Sequence, residues 1–85
     1  MDYIAVTFRS RSHTMKMKQY LSGIGVSCEI INTPKEAGVG CGLSVKIMPE
    51  TFNFVKRIVH QSNLTSFAGF FFVKQIGNKR VVKSI

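Results

Sequence analysis

The chain has 85 residues, of which 45% are hydrophobic, and this size and composition predict one folded domain over residues 1–85 rather than a disordered segment. Twelve Lys and Arg residues against four Asp and Glu residues give a formal net charge of +8, which favours an anionic partner, either an acidic protein or a nucleic acid. Two cysteines are too few for a secreted disulfide scaffold, so both are expected to be free thiols.

The sequence also bears on where the protein is found. The first residues have neither the basic region nor the apolar region of a secretory signal. The longest apolar run, residues 67–73, is far shorter than the roughly 20 residues that span a bilayer as a helix. We therefore expect a cytoplasmic protein with no membrane partner.

The first three predicted elements are a strand, a helix and a strand. Residues 3–8 are mostly β-branched or aromatic, which is typical of a strand. The next apolar residues recur at the spacing of a half-buried helix: Met17, Tyr20, Leu21 and Ile24. Val26, Cys28 and Ile30 then alternate with polar residues, which predicts a strand with one covered face and places Cys28 in the core.

A helical turn and a glycine-rich loop are predicted next. Thr33, Pro34 and Glu36 occupy the N-cap, N1 and N3 positions of a capping box, which predicts a short helical turn. Residues 38–42 are so rich in glycine that regular structure is disfavoured. Cys41 is therefore expected to lie in a loop.

The remaining sequence predicts a strand, a helix and a hairpin. Residues 43–47 alternate as a third strand, and the proline and glutamate at 49–50 begin a second helix. Its apolar stripe consists of Phe52, Val55, Ile58 and Val59. Residues 67–76 form a fourth predicted strand, and Gly77-Asn78 is a hairpin turn into a fifth. This order, βαββαβ with a trailing strand, predicts an α+β, ferredoxin-like sandwich with an antiparallel sheet and two helices on one face.

Cys41 is the candidate reactive residue. Glycines on both sides leave its sulfur accessible, and Lys35 together with the general positive charge would favour the thiolate form. The alternative is a structural role, in which Cys41 is merely a small residue before the third strand. Cys28 is open as a resolving partner for Cys41.

Other classes of site lack the residues they need. Cys28, Cys41, His13 and His60 do not have the spacing of a zinc site. The glycine loop matches neither phosphate-binding motif and leads into a strand, and the acidic residues are explained by solvent exposure or helix starts. We expect no metal, no cofactor and no hydrolytic chemistry.

Nucleic-acid binding is the alternative function. Residues 69–74, Gly-Phe-Phe-Phe-Val-Lys, are similar in part to the aromatic strand of RNA-recognition domains. The leading basic residue and the final aromatic are missing, and the segment follows the second helix, whereas the stacking strand should precede it. We expect weak RNA binding at most. The alternative to a thiol function is therefore a basic ferredoxin-like module that binds RNA or protein without thiol chemistry.

The run from Phe8 through Ser12-His13, the segment Thr33–Glu36 and the triplet Cys41-Gly42-Leu43 resemble the selenium/sulfur (Se/S) carrier protein-like family. The resemblance covers most of residues 3–60. It implies a sulfur or selenium carrier rather than a self-sufficient enzyme, with Cys41 as the thiol that holds a persulfide or selenide.

The resemblance also implies the partners and the neighbouring site residues. The donor would be a cysteine desulfurase-like protein and the acceptor a second protein. Acidic surfaces on these partners would suit the basic chain. Whether the chain forms a homodimer is left open. The candidate substrate-binding residues are Thr33, Pro34, Lys35, Gly40 and Gly42. Family members often have serine in the spacer before the cysteine, whereas residues 37–40 contain none, so no hydroxyl beside the thiolate is expected from this spacer.

Overall fold

The structure is a computed structural model that describes residues 2–39 and 41–85. The described elements are β1 (Tyr3–Phe8), α1 (Arg11–Gly23), β2 (Cys28–Asn32), a 3₁₀ turn (Lys35–Ala37), β3 (Leu43–Ile47), a second 3₁₀ turn (Pro49–Thr51), α2 (Phe52–Gln61), β4 (Phe67–Ile76) and β5 (Lys79–Ser84). The strands form an antiparallel five-stranded sheet in the order β2-β3-β1-β4-β5. The predicted α+β class, antiparallel sheet and two helices are confirmed, while the ferredoxin-like assignment and the single-domain limits stay predictions.

Both helices pack on the same face of the sheet. Ile4 lies opposite Ile47 on β3 and opposite Phe72 on β4, and alternate residues of each strand share that face. The buried core contains Ile4, Val6, Phe8, Met17, Leu21, Val45, Ile47, Val55, Val59 and Phe70. Because this one cluster includes residues of α1 and α2, the central strands and both helices share one core.

The two helices begin and pack differently. The Ser10 side chain caps α1 by accepting a hydrogen bond from the His13 N–H at 3.2 Å, and α2 continues from the 3₁₀ turn that begins at Pro49. The stripe predicted for α1 is too wide, since Tyr20 and Ile24 are 55% and 44% exposed. Only one line of α1 faces the sheet, so Thr14 joins Met17 and Leu21 as its buried residues.

Within the described part of the chain, neither helix is long and apolar enough to cross a membrane.

The second face of the sheet is covered by the chain that follows β2. Ala5, Thr7 and Val73 are fully buried on this face, although both helices lie on the other one. Pro34 is buried, and the Lys35–Ala37 turn contacts β5. The segment after β2 therefore folds back over the sheet and meets the β4–β5 hairpin.

The predicted capping box at Thr33 is wrong. The hydroxyl of Thr33 lies 2.6 Å from the hydroxyl of buried Ser44, and the 3₁₀ turn has no side-chain cap. Ser44 needs a hydrogen-bond partner because it is removed from water, and Thr33 provides it. The turn therefore starts at Lys35 and ends at Ala37, and Glu36 is left to pair elsewhere.

Candidate functional site

Cys41 lies where the covering segment enters the sheet. Its N–H donates a hydrogen bond to the Phe8 carbonyl oxygen at 3.3 Å, and the Thr33 N–H donates to the Gly42 carbonyl oxygen at 2.9 Å. Gly42 has φ +92°, a conformation that residues with a side chain rarely adopt. The glycine after the thiol is thus required by the backbone, and Cys41 itself is partly exposed.

The Cys41 sulfur packs against the first part of α1. Its Sγ lies 3.7 Å from Thr14 Oγ1 and 3.6 Å from the Leu43 carbonyl oxygen. Thr14 is fully buried, and its hydroxyl is also 3.2 Å from the Ser10 carbonyl oxygen and 3.5 Å from that of Leu43. A hydroxyl has one proton and can rotate, so Thr14 can donate to a carbonyl beside a neutral thiol and to the sulfur once that sulfur is a thiolate.

Sequence reasoning missed Thr14. It expected no hydroxyl support from the spacer before Cys41, and the structure supplies a hydroxyl from the helix instead. One sequence signal was available, because Thr14 lies three residues before Met17 and seven before Leu21, on the line of α1 that faces the sheet. A polar residue on a buried line needs a partner.

The start of α1 favours negative charge. The first turn contains no acidic residue, while Arg9 and Arg11 are exposed on either side of the Ser10 cap. Free N–H groups at a helix N-terminus attract anions. This arrangement suits an anionic partner group that approaches the start of α1.

Ser66, in the loop before β4, holds the start of α1 in place. The Arg9 N–H donates to the Ser66 carbonyl oxygen at 2.8 Å, and the Ser10 N–H donates to the Ser66 hydroxyl at 3.2 Å. His13 Nδ1 lies 2.6 Å from the same hydroxyl. His13, in the first turn of α1, thus links this helix to the loop that precedes β4.

The predicted substrate-binding residues do not surround the sulfur. Thr33, Pro34, Lys35 and Gly42 line a surface depression of about 320 Å³ with residues 38–39, while Gly40 lies outside the described residues. The Cys41 side chain is not among the described lining residues. Its sulfur faces α1, whereas Thr33 contacts Ser44, which points to the other face of the sheet. The predicted site is therefore split between the two sides of the segment that enters β3, with Lys35 on the side away from the sulfur.

Cys28 lies at the far end of β3 from Cys41. It is opposite Ile47, is half-buried against the core, and has its sulfur 3.4 Å from Ser22 Oγ. Leu43 and Ile47 are the first and last residues of β3, which places them about 13 Å apart at roughly 3.3 Å per residue. A disulfide needs Cα atoms within about 7 Å. Cys28 lies beside Ile47 and Cys41 lies just before Leu43, so the two cysteines are too far apart to form a disulfide. Cys28 therefore cannot resolve Cys41 within one folded copy.

The aromatic strand is part of the core rather than an open stacking surface. Phe70 is 4% exposed and Phe71 is 9% exposed. Phe70 packs against Phe52 and Phe67, with ring centroids 5.1 and 4.8 Å away. Two of the three consecutive phenylalanines are thus withheld from a nucleic-acid base in the folded domain.

No group of three residues able to hold a metal ion is found among residues 2–39 and 41–85.

The family described as "Putative Se/S carrier protein-like" matches residues 2–68. The matched range includes Thr14, Cys41 and Ser66 and ends near the start of β4. No curated protein and no solved structure shows significant similarity to the chain.

Proposed function

The chain belongs to the Se/S carrier protein-like family, and we propose that it carries sulfur or selenium on Cys41 between a donor protein and an acceptor protein. The observation that carries this proposal is that Cys41 is a partly exposed residue whose sulfur lies 3.7 Å from the hydroxyl of buried Thr14. Thiol exchange requires an accessible sulfur that can become a thiolate. A self-contained active site is not required.

Loading proceeds by thiolate attack on a donor persulfide. The Cys41 thiolate attacks the terminal sulfur of a donor R–S–SH, a bond forms between the two sulfurs, and the donor S–S bond breaks. The donor leaves as a thiolate R–S⁻ and Cys41 becomes a persulfide, so no external oxidant or reductant is consumed. Selenium follows the same course with R–S–SeH. Attack by an acceptor nucleophile on the terminal atom then returns Cys41 to its thiolate.

Thr14 and the start of α1 assist the charged forms of Cys41. The Thr14 hydroxyl donates to the thiolate before attack and again when the acceptor releases it. Arg9 and Arg11 and the N-terminus of α1 attract the anionic sulfur groups of the donor. The donor we propose is a cysteine desulfurase-like protein, and acidic partner surfaces suit the net charge of +8.

We interpret the strand order β2-β3-β1-β4-β5 as a ferredoxin-like arrangement with β5 added beyond β4. In this interpretation the residue range matched by the family carries the thiol and its supports. Only β5 then extends the sheet, at the edge next to β4.

Intact-protein mass spectrometry tests the proposal. We expect incubation with a cysteine desulfurase and cysteine to add the mass of one sulfur atom, removable by a reductant, and the selenium counterpart to add one selenium atom. Cys28→Ser should load and Cys41→Ser should not. Equal loading of both variants, or no loading of the wild type by any desulfurase tried, would refute the carrier function.

A further inference from the structure

The β4–β5 hairpin has one face that combines lysines with exposed aliphatic side chains. Lys74 lies opposite Val81, Ile76 opposite Lys79, and Phe72 opposite Lys83. Directly opposed residues and alternate residues share a face. We call the following set the lysine face: Lys74, Ile76, Lys79, Val81 and Lys83. All are exposed, with Ile76 and Val81 at 54% and 49%.

The lysines of this face have no acidic partner within the described chain. Both ion pairs found there use other cations, Lys46 with Glu29 and Arg80 with Glu36. Three like charges on one small surface repel one another and are relieved by an anionic partner. The lysine face is therefore complementary to carboxylates or phosphates.

The outer edge of β5 presents backbone groups for pairing. Hydrogen-bonded and non-hydrogen-bonded residue pairs alternate along antiparallel strands. The Ile85 N–H donates to the Phe70 carbonyl oxygen at 3.1 Å, so the N–H groups at alternate positions 79, 81 and 83 also point to β4. The N–H and C=O groups of Arg80, Val82 and Ser84 consequently point away from β4, where the sheet has no further described strand.

We propose that this edge binds an extended acidic segment of a partner protein, which adds to the sheet as a strand beside β5. Backbone pairing would supply affinity, and a strand of alternating acidic and aliphatic residues would place its acidic side chains on the lysine face and its aliphatic side chains on the opposite face, beside Val82. The same lysines oppose pairing with β5 of a second copy, because like charges would meet. Ile76 and Val81 on the lysine face offer no aromatic ring on which a base can stack. This face therefore fits a peptide better than a nucleic acid.

This proposal does not depend on thiol chemistry, so the Cys41→Ser protein is used to test it. The probe is a fluorescein-labelled six-residue peptide of alternating Glu and Val, and the matched probe has Gln in place of Glu. Fluorescence anisotropy should show salt-dependent binding of the Glu peptide and at least about tenfold weaker binding of the Gln peptide. Replacement of all three lysines by Gln should weaken the Glu peptide by about tenfold as well.

The strand-pairing step has its own pair of variants. Val82→Pro removes an outward N–H without removing a bond to β4, and proline is tolerated at such edge positions. Val82→Ala loses the same side chain and keeps the N–H. We expect the proline variant to bind about tenfold more weakly than the alanine variant. If Val82→Pro does not fold, a Glu-Val peptide that is N-methylated at alternate residues removes the pairing N–H groups from the probe instead. This peptide should bind the protein with unaltered β5 about tenfold more weakly than the unmodified peptide does.

NMR spectroscopy locates the bound peptide. The amide signals of Arg80, Val82 and Ser84 should shift on titration, while those of β2, the opposite edge, should not. Equal binding of the N-methylated and unmodified peptides, or shifts confined to β2, would overturn the proposal. Tighter binding of oligouridylate than of the Glu peptide at these lysines, or self-association through β5, would overturn it as well.

Discussion

Arg80 donates two hydrogen bonds to the carboxylate of Glu36, from Nη2 to Oε1 at 2.8 Å and from Nε to Oε2 at 3.3 Å. The pair joins the segment that precedes Cys41 to β5, although 44 positions separate the two residues. Planar two-point contacts of this kind hold geometry better than single contacts do. Arg80 thereby restrains the segment that covers the second face of the sheet.

The ion pair predicts a pH-dependent contribution to stability. The hydrogen bond from Arg80 lowers the pKa of Glu36 below its ordinary value of 4.5, and the same bond raises the pKa of Arg80. A carboxyl with a lowered folded-state pKa stabilises the fold above its unfolded-state pKa, and the contribution is lost as pH falls through the folded-state value. We expect Glu36→Gln to lower the melting temperature at pH 7 by a few degrees at most, with the difference vanishing at acidic pH well below 4.5.

Two controls accompany thermal melts of this variant. Glu36→Gln and Arg80→Gln should lose no more together than singly, because they break one interaction. Glu29→Gln should have a smaller effect, since Glu29 is 71% exposed and meets Lys46 at 3.7 Å. An effect of Glu36→Gln that is constant from acidic to neutral pH would contradict the assignment of the stabilisation to this ion pair.

Gly42 should be intolerant of a side chain although there is room for one. Apart from its two chain neighbours, no atom of the described residues lies within 4 Å of a β-carbon built at Gly42, but its φ is +92°. The cost of Gly42→Ala is therefore conformational. We expect a loss of about 1–2 kcal/mol in the free energy of unfolding, measured by urea denaturation. Gly23→Ala is the matched control, because it also has free space and no positive φ. That variant in α1 should be neutral or slightly stabilising, and an equal loss in both would refute the backbone argument.

Local sequence signals account for most of the elements. Residues 67–76 and the Gly77-Asn78 turn have the predicted limits, because strand alternation and hairpin turns are encoded by neighbouring residues. The Thr33 capping box failed since a distant hydroxyl on β3, that of Ser44, takes the Thr33 side chain. A pattern read along four residues does not include such a tertiary competitor.

The candidate site was less predictable than the fold. The glycine-flanked position of Cys41 is visible in the sequence, but its contact with Thr14 spans 27 positions and depends on how α1 crosses the sheet. Lys35 is close to Cys41 in sequence and lines the depression on the other side. Closeness in sequence therefore does not identify the residues that contact the sulfur, because those contacts depend on the packing of α1.

Phe70 should act through stability rather than through nucleic-acid binding. It is 4% exposed and packs against Phe52 and Phe67, so Phe70→Ala should cost about 3–5 kcal/mol in the free energy of unfolding. Any binding of a short single-stranded RNA should be weak, should decrease steeply with salt, and should persist in Cys41→Ser. Tight binding that survives physiological salt and is lost in a folded Phe70→Leu variant would instead establish an RNA-binding strand.

Thr14 should govern the reactivity of Cys41 through its hydroxyl. Thr14→Val keeps the shape of the side chain and removes the hydroxyl that lies 3.7 Å from the sulfur, whereas Thr14→Ser keeps the hydroxyl. Because a hydrogen bond to a charged acceptor is worth more than one to a neutral group, we expect Thr14→Val to slow alkylation of Cys41 by about three- to tenfold at pH 7. Thr14→Ser should remain within about twofold of the wild type.

Cys28, half-buried at the far end of β3, is the internal control. Peptide mass spectrometry should show that its alkylation is slower than that of Cys41 and unchanged in both variants. Faster alkylation of both cysteines in Thr14→Val would indicate general loosening of the fold. Equal Cys41 rates in the valine and serine variants would show that the hydroxyl does not support the thiolate.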